Sequence, residues 1–132
     1  MIKSREFREH GLVVHQCDGK LSLEQFKRAA QMHCALDWCR MVLWDLTACD
    51  MSGIETSDVR RLAQGASAAA EARAGGRTAL VASTETQYGL CRMYEIFLGL
   101  EESSVKTAVF RTRREAELWL DGELPPDIGK DG

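Results

Sequence analysis

The segment Arg40-Met41-Val42-Leu43-Trp44-Asp45-Leu46 is a nearly continuous apolar run. A strand with one wet face alternates apolar and polar side chains. A run without that alternation suits a strand covered on both faces, the mark of a parallel sheet between helices. This stretch predicts an α/β domain, and the rest of the chain supplies elements in the order such a fold needs.

Residues 4–9 read as a short polar strand, Gly11 as a turn, and residues 12–17, LVVHQC, as a β-branched apolar strand. Asp18-Gly19 gives a turn signal. Ser22 with Gln25 makes a capping box for a helix that carries Leu23, Phe26, Ala30 and His33 and runs to about residue 34. After the central run, TACDMSGIETSD reads as a polar loop. Thr56 or Ser57 caps the next helix, expected to reach about Arg73 with Val59, Leu62, Ala66 and Ala69 as its inner stripe. Small residues there let the helix approach the sheet closely, so Ala66→Leu is expected to overpack the contact. Gly75-Gly76 ends this helix.

Residues 78–82 form the next strand, and Thr84 with Gln87 caps a helix over about 86–99 with Gly99 as its stop. Residues 106–110 form the last strand. Thr112 with Glu115 caps a final helix whose Ala116, Trp119 and Leu120 face inward. The order β-β-α-β-α-β-α-β-α implies a mixed, mostly parallel sheet built by right-handed crossovers, with helices on both faces and an antiparallel edge. We expect one domain over residues 1–121 and a disordered tail over 122–132, which has little to bury.

With 132 residues, 45% apolar and 28% charged, the chain can bury roughly two thirds of its unfolded surface without metal or disulfide staples. Seventeen basic against twenty acidic residues give a net charge of −3, which excludes a strongly basic nucleic-acid binder. No apolar run approaches the roughly 20 residues that cross a bilayer, so integral membrane association is not expected. The charged start, MIKSREFREHG, predicts no signal peptide. Cys17, Cys34, Cys39, Cys49 and Cys91 are odd in number and scattered, which predicts free thiols in a reducing, cytoplasmic setting.

Three pieces of the chain are similar to the SpoIIAA-like group of STAS domains: LWDLTACDMSGIETSDVRRL, ALVASTETQYGLCRMYEIF with its Tyr-Gly-Leu-x-Arg-Met helix, and VFRTRREAELWL carrying Trp119. The resemblance covers roughly residues 10–121 and implies that group's fold. Its name-giving members are anti-sigma-factor antagonists that switch partners when a serine in an Asp-Ser-Ser-Gly motif is phosphorylated. Asp50-Met51-Ser52-Gly53 keeps the Asp, one Ser and the Gly. The resemblance thus makes Ser52, with Thr56 and Ser57 beside it, the candidate phosphorylation sites, and a regulatory protein the candidate partner. Other relatives resemble CRAL-TRIO lipid-binding domains, which implies an apolar ligand.

Read for chemistry, the chain has no Cys-x-x-Cys pair. Its densest cluster is His33-Cys34 with Cys39, so neither a metal nor a cofactor is expected. Cys49 is placed in a loop beside Asp50, whose charge disfavours the thiolate. His10, His15 and His33 lie at no strand-to-helix elbow, and Gly-x-Ser-x-Gly and a phosphate loop are missing; no catalytic residue is assigned. In open α/β sheets ligands gather at the carboxyl ends of strands, near helix N-termini. Those ends supply a candidate ligand or anion site: Asp45, Thr47, Ser83, Thr84, Glu85 and Arg111.

The helix QYGLCRMYEIFLGL is apolar around most of its circumference, with Arg92 and Glu95 its only charges. Such a collar calls for a cover. Tyr94, Ile96, Phe97 and Leu98 are therefore the candidate interface of a homodimer. The leading expectation is a non-enzymatic regulatory or interaction domain that self-associates. The alternative is a carrier or sensor of a small apolar or lipid-like ligand held between the collar helix and the sheet. A third is an enzyme using Asp45 with Arg92 or Arg111.

Overall fold

A computed structural model describes residues 1–73 and 75–120. The central run becomes β3 (Met41–Asp50), flanked by β2 (Leu12–Lys20) and β4 (Arg77–Val81), with β1 (Ile2–Phe7) and β5 (Lys106–Phe110) at the edges. The strands lie in the order of the chain. β1 pairs antiparallel with β2, and the other three pairings are parallel. The helices are α1 (Leu23–Cys34), α2 (Thr56–Ala68), α3 (Glu85–Leu100) and α4 (Arg113–Leu120).

This order decides which face each helix covers. Every crossover from β2 to β5 steps the same way across the sheet, so right-handed connections put α1, α2 and α3 on one face. Phe26, Val59 and Cys91 from those helices meet Cys17, Leu46 and Leu80 of the sheet there. Among the described residues only α4 covers the opposite face, where Ala116 and Leu120 pack on Val14, Leu43, Ala79 and Val81. Helices on both faces are thus found, divided three to one.

Capping explains most boundaries. Ser22 and Gln25 form the box that opens α1, and Thr84 and Gln87 the one that opens α3. At α4 the Glu115 amide donates to Thr112 Oγ1 at 3.3 Å, while the Thr112 hydroxyl donates to Glu115 at 2.9 Å. Gly75 supplies a φ of 81°, and Gly76 lies so close to Arg40 that a Cβ would sit 2.1 Å from its carbonyl oxygen.

Several local expectations are corrected. The polar first strand is β1, two residues earlier than expected. Asp18-Gly19 does not turn: β2 continues to Lys20, opposite Asp50, and the signal is spent on a register shift between Gln16 and Asp18. For the same reason Thr47–Asp50 belong to β3, and Cys49 is buried in a strand instead of lying in a loop. The cap of α2 is neither Thr56 nor Ser57. Glu55 precedes the helix, and its amide donates to Asp58 at 3.0 Å. That helix stops at Ala68, and a separate 3₁₀ turn spans Ala70–Arg73. α3 runs through Gly99 and closes in a Schellman motif. Glu102 takes φ 54° there, and the Ser103 amide donates to the Leu98 carbonyl at 3.4 Å. The tail over 122–132 lies outside the described residues.

Candidate functional site

The carboxyl ends of the strands are built as the topology predicts, but their polar groups satisfy one another. Gln87 is buried in the first turn of α3. Its Oε1 accepts from the amides of Ser83 (2.9 Å) and Thr84 (3.1 Å), and its Nε2 donates to the carbonyls of Cys49 (2.9 Å) and Thr47 (3.3 Å). Glu85 pairs with Arg111 at 3.0 Å, and Arg111 also lies over the Tyr88 ring, 3.7 Å from its centroid. Asp45 points to the other face. It accepts from the amide and hydroxyl of Thr47 and pairs with Arg113 at 3.0 Å, and Arg113 also binds Gln16 and Glu117. Ser83, Thr84, Glu85 and Arg111 therefore gather around the start of α3, whose Gln87 also reaches the Thr47 carbonyl, whereas the Thr47 hydroxyl is bonded to Asp45 on the other face. Gln87 and Arg113, the residues that organise this end, were not among the sequence candidates; the capping-box position of Gln87 was the available signal.

Ser52, Thr56 and Ser57 are all exposed on the β3–α2 connection. The Ser52 amide donates to Asp50 Oδ1 at 2.9 Å. That bond is the first cause holding the Asp50 carboxyl below its usual pKa, with Lys20 adding a smaller push in the same direction.

A concavity lies elsewhere. A cavity of about 360 Å³ opens between the three-helix layer and the sheet. Trp44, Leu46 and Leu80 form its floor, and Phe26, Leu62 and Leu90 its walls. It exists because the facing helices are small there. Ala30 of α1 and Gly65, Ala66 and Ala69 on and just after α2 all border the space and leave it unfilled. The expected close approach of α2 to the sheet is thus replaced by a void. Val59 and Ala63 are its buried positions, whereas Leu62, Ala66 and Ala69 look into the cavity. Exposed Gln31 and Arg61 lie at its rim.

None of the six candidate anion-site residues lines this cavity, but two candidate interface residues do. Tyr94 and Leu98 face it, while Phe97 is half-buried beneath the Arg60 guanidinium, 5.1 Å from its ring centroid. Ile96 is left 57% exposed. Most of the apolar collar is therefore used inside one chain.

One end of the cavity is polar. Arg73 is 7% exposed, and its Nη2 donates to the carbonyls of Arg40 and Arg77, both at 2.9 Å. These carbonyls flank the starts of β3 and β4, the end of the sheet opposite to the predicted site. His33 also lines the cavity, and its Nδ1 lies 2.9 Å from Nε2 of His15. His15 Nδ1 lies 2.7 Å from the hydroxyl of Ser4, its register partner on β1. The ring of His15 stacks on Trp44 with centroids 4.1 Å apart. Burial first, and the Arg73 charge second, lower His15 to about 3; burial, His15 and Arg73 together lower His33 to about 3. Both imidazoles are therefore neutral, and a consistent set of hydrogen bonds runs from Ser4 to His33 in one direction or the other. Burial also pushes the Tyr94 hydroxyl up to about 12. No protein-family model and no curated protein matches the chain.

The five thiols are free; Cys34 and Cys91 border the cavity, and burial raises both. They are poor nucleophiles for that reason. The geometry reverses the expectation for Ala66. Ala63→Leu, at a fully buried position, should cost about 1–3 kcal/mol by overpacking. Ala66→Leu should extend into the void and leave the urea midpoint unchanged or raised. A midpoint lowered equally by both substitutions would show that the space is closed.

Proposed function

We propose that this chain is a non-enzymatic, ligand-binding domain of the STAS type, which carries or senses a small apolar or lipid-like molecule. The observation that carries this reading is the cavity of about 360 Å³ between the three-helix layer and the sheet, within the size range of small-molecule sites and lined mainly by apolar side chains. Burial raises its two thiols and makes its one histidine a weak base, which supports a non-enzymatic reading. Among the described residues no helix is long and apolar enough to cross a membrane. Five free thiols fit a reducing, cytoplasmic setting. Native mass spectrometry of freshly purified protein should show extra mass on the monomer that organic extraction removes. Ala66→Leu with Ala69→Leu should abolish it. A bare mass, together with no uptake of apolar ligands in calorimetry, would sink the proposal.

A second reading, self-association through α3 with a regulatory role, is favoured by Ile96 and Leu100, exposed to 57% and 73% on neighbouring turns of that helix. Its phosphorylation sites would be Ser52, Thr56 and Ser57. Ile96→Asp should leave stability within about 0.5 kcal/mol, as exposed positions do, and turn a dimer into a folded monomer. A native protein already monomeric in light scattering at micromolar concentration refutes this reading.

A further inference from the structure

The polar end of the cavity specifies what its ligand carries. Arg73 is buried, and its Nε has no hydrogen-bond partner. Among the described residues its hydrogen bonds go only to two backbone carbonyls, and no carboxylate forms an ion pair with it. Buried charges are paired as a rule, because water no longer solvates them. The neighbours cannot supply the missing charge. His33 is neutral, and the Cys34 and Cys39 thiols and the Tyr94 hydroxyl stay protonated.

Two further polar groups at this end lack partners among the described residues. His33 bonds only through Nδ1, and the Tyr94 hydroxyl forms no hydrogen bond. One unpaired cation with two neutral hydrogen-bonding groups, closing an otherwise apolar chamber, matches a single negative charge spread over two oxygens. A phosphate monoester would bring a second negative charge that the single Arg73 guanidinium does not balance.

We infer that the cavity takes a linear medium-chain monocarboxylic acid, its carboxylate paired with Arg73 and within reach of His33 and Tyr94. This rests on the ligand-binding reading above and names the chemistry of the ligand. At about the packing density of a protein interior, the space holds a chain of roughly ten carbons.

The test is calorimetric titration of the native protein with decanoate, methyl decanoate, decanol and decyl phosphate, each below its aggregation concentration. Decanoate should bind at least tenfold more tightly than the ester or the alcohol. Arg73→Gln should lower decanoate affinity at least tenfold and so remove that preference; should that variant not fold, the acid-to-ester ratio on the native protein still decides. Equal binding of acid, ester and alcohol overturns the headgroup assignment and leaves the apolar-ligand reading standing. Decyl phosphate binding more tightly than decanoate overturns it in favour of a phosphate headgroup. Failure of all four ligands to bind overturns both readings.

Discussion

Acidification from pH 7 to about 4.5 is expected to cost the protein on the order of 3–5 kcal/mol of stability, through His15 and His33 alone. Both imidazoles sit near 3 in the folded chain, against an ordinary value of 6.5, chiefly because burial disfavours their charged forms. Below pH 6.5 the unfolded chain therefore binds protons that the folded chain refuses. The stability is complete above that pH and is lost as pH falls toward 3. Each imidazole kept neutral contributes about 1.4 kcal/mol per pH unit across this window. The two rings share one hydrogen bond, so the first proton can be partly shared, and the total lies between that of one ring and that of two. His33→Gln removes one titrating group and should leave at most the contribution of a single ring. Urea midpoints measured at several pH values read this directly. A midpoint constant from pH 7 to 4.5 would mean that the pair is not buried neutral.

Asp45→Ala should cost about 3 kcal/mol, at the lower end of what breaking a buried ion pair costs. Asp45 lies on the face covered by α4, and Arg113 reaches it from the first residue of that helix at 3.0 Å. The other carboxylate oxygen accepts from the Thr47 amide at 3.1 Å and from its hydroxyl at 2.6 Å. Truncation strands both donors and leaves Arg113 with Gln16 and Glu117. Those remaining partners, and the partial exposure of Arg113, keep the loss near the lower bound. Asp45→Asn keeps an acceptor for Thr47 and loses the charge, so it should fall between wild type and Asp45→Ala. Ligand binding in the cavity should survive both substitutions, since Asp45 faces the other side of the sheet. An unchanged denaturation midpoint in Asp45→Ala would show that α4 docks through Ala116 and Leu120 without this pair.

Most of the fold was legible because its signals are local. The nearly continuous apolar run at Arg40–Leu46 marks a strand covered on both faces, and β3 is one. Ser22/Gln25, Thr84/Gln87 and Thr112/Glu115 mark helix starts, since each box satisfies amides that the helix itself leaves free. The misread points involve partners distant in sequence. Asp18-Gly19 is a turn by composition, but the pairing of Lys20 with Asp50 holds the chain extended. The α2 stripe of small residues was read as close contact. Whether small side chains produce an intimate contact or a void depends on how far the opposing surface stands off, and no single helix carries that information.

The candidate site divides along the same line. Sequence alone assigned Asp45, Thr47, Ser83, Thr84, Glu85 and Arg111 to the carboxyl ends of the strands, because strand and helix boundaries follow from local rules; it did not show that Asp45 turns to the face of α4. It also identified the excess apolar surface of the Gln87–Leu100 helix and named a ligand between that helix and the sheet as one possible cover. Only the tertiary structure decided how that surface is used: Tyr94 and Leu98 turn into a cavity, Phe97 packs half-buried, and Ile96 stays outside. Only it brought Arg73, His33 and Tyr94, from three separate elements, to one end of that cavity. Their meeting depends on all three crossovers stepping the same way, which stacks α1, α2 and α3 on one face and encloses between them and the sheet a space that no one segment specifies.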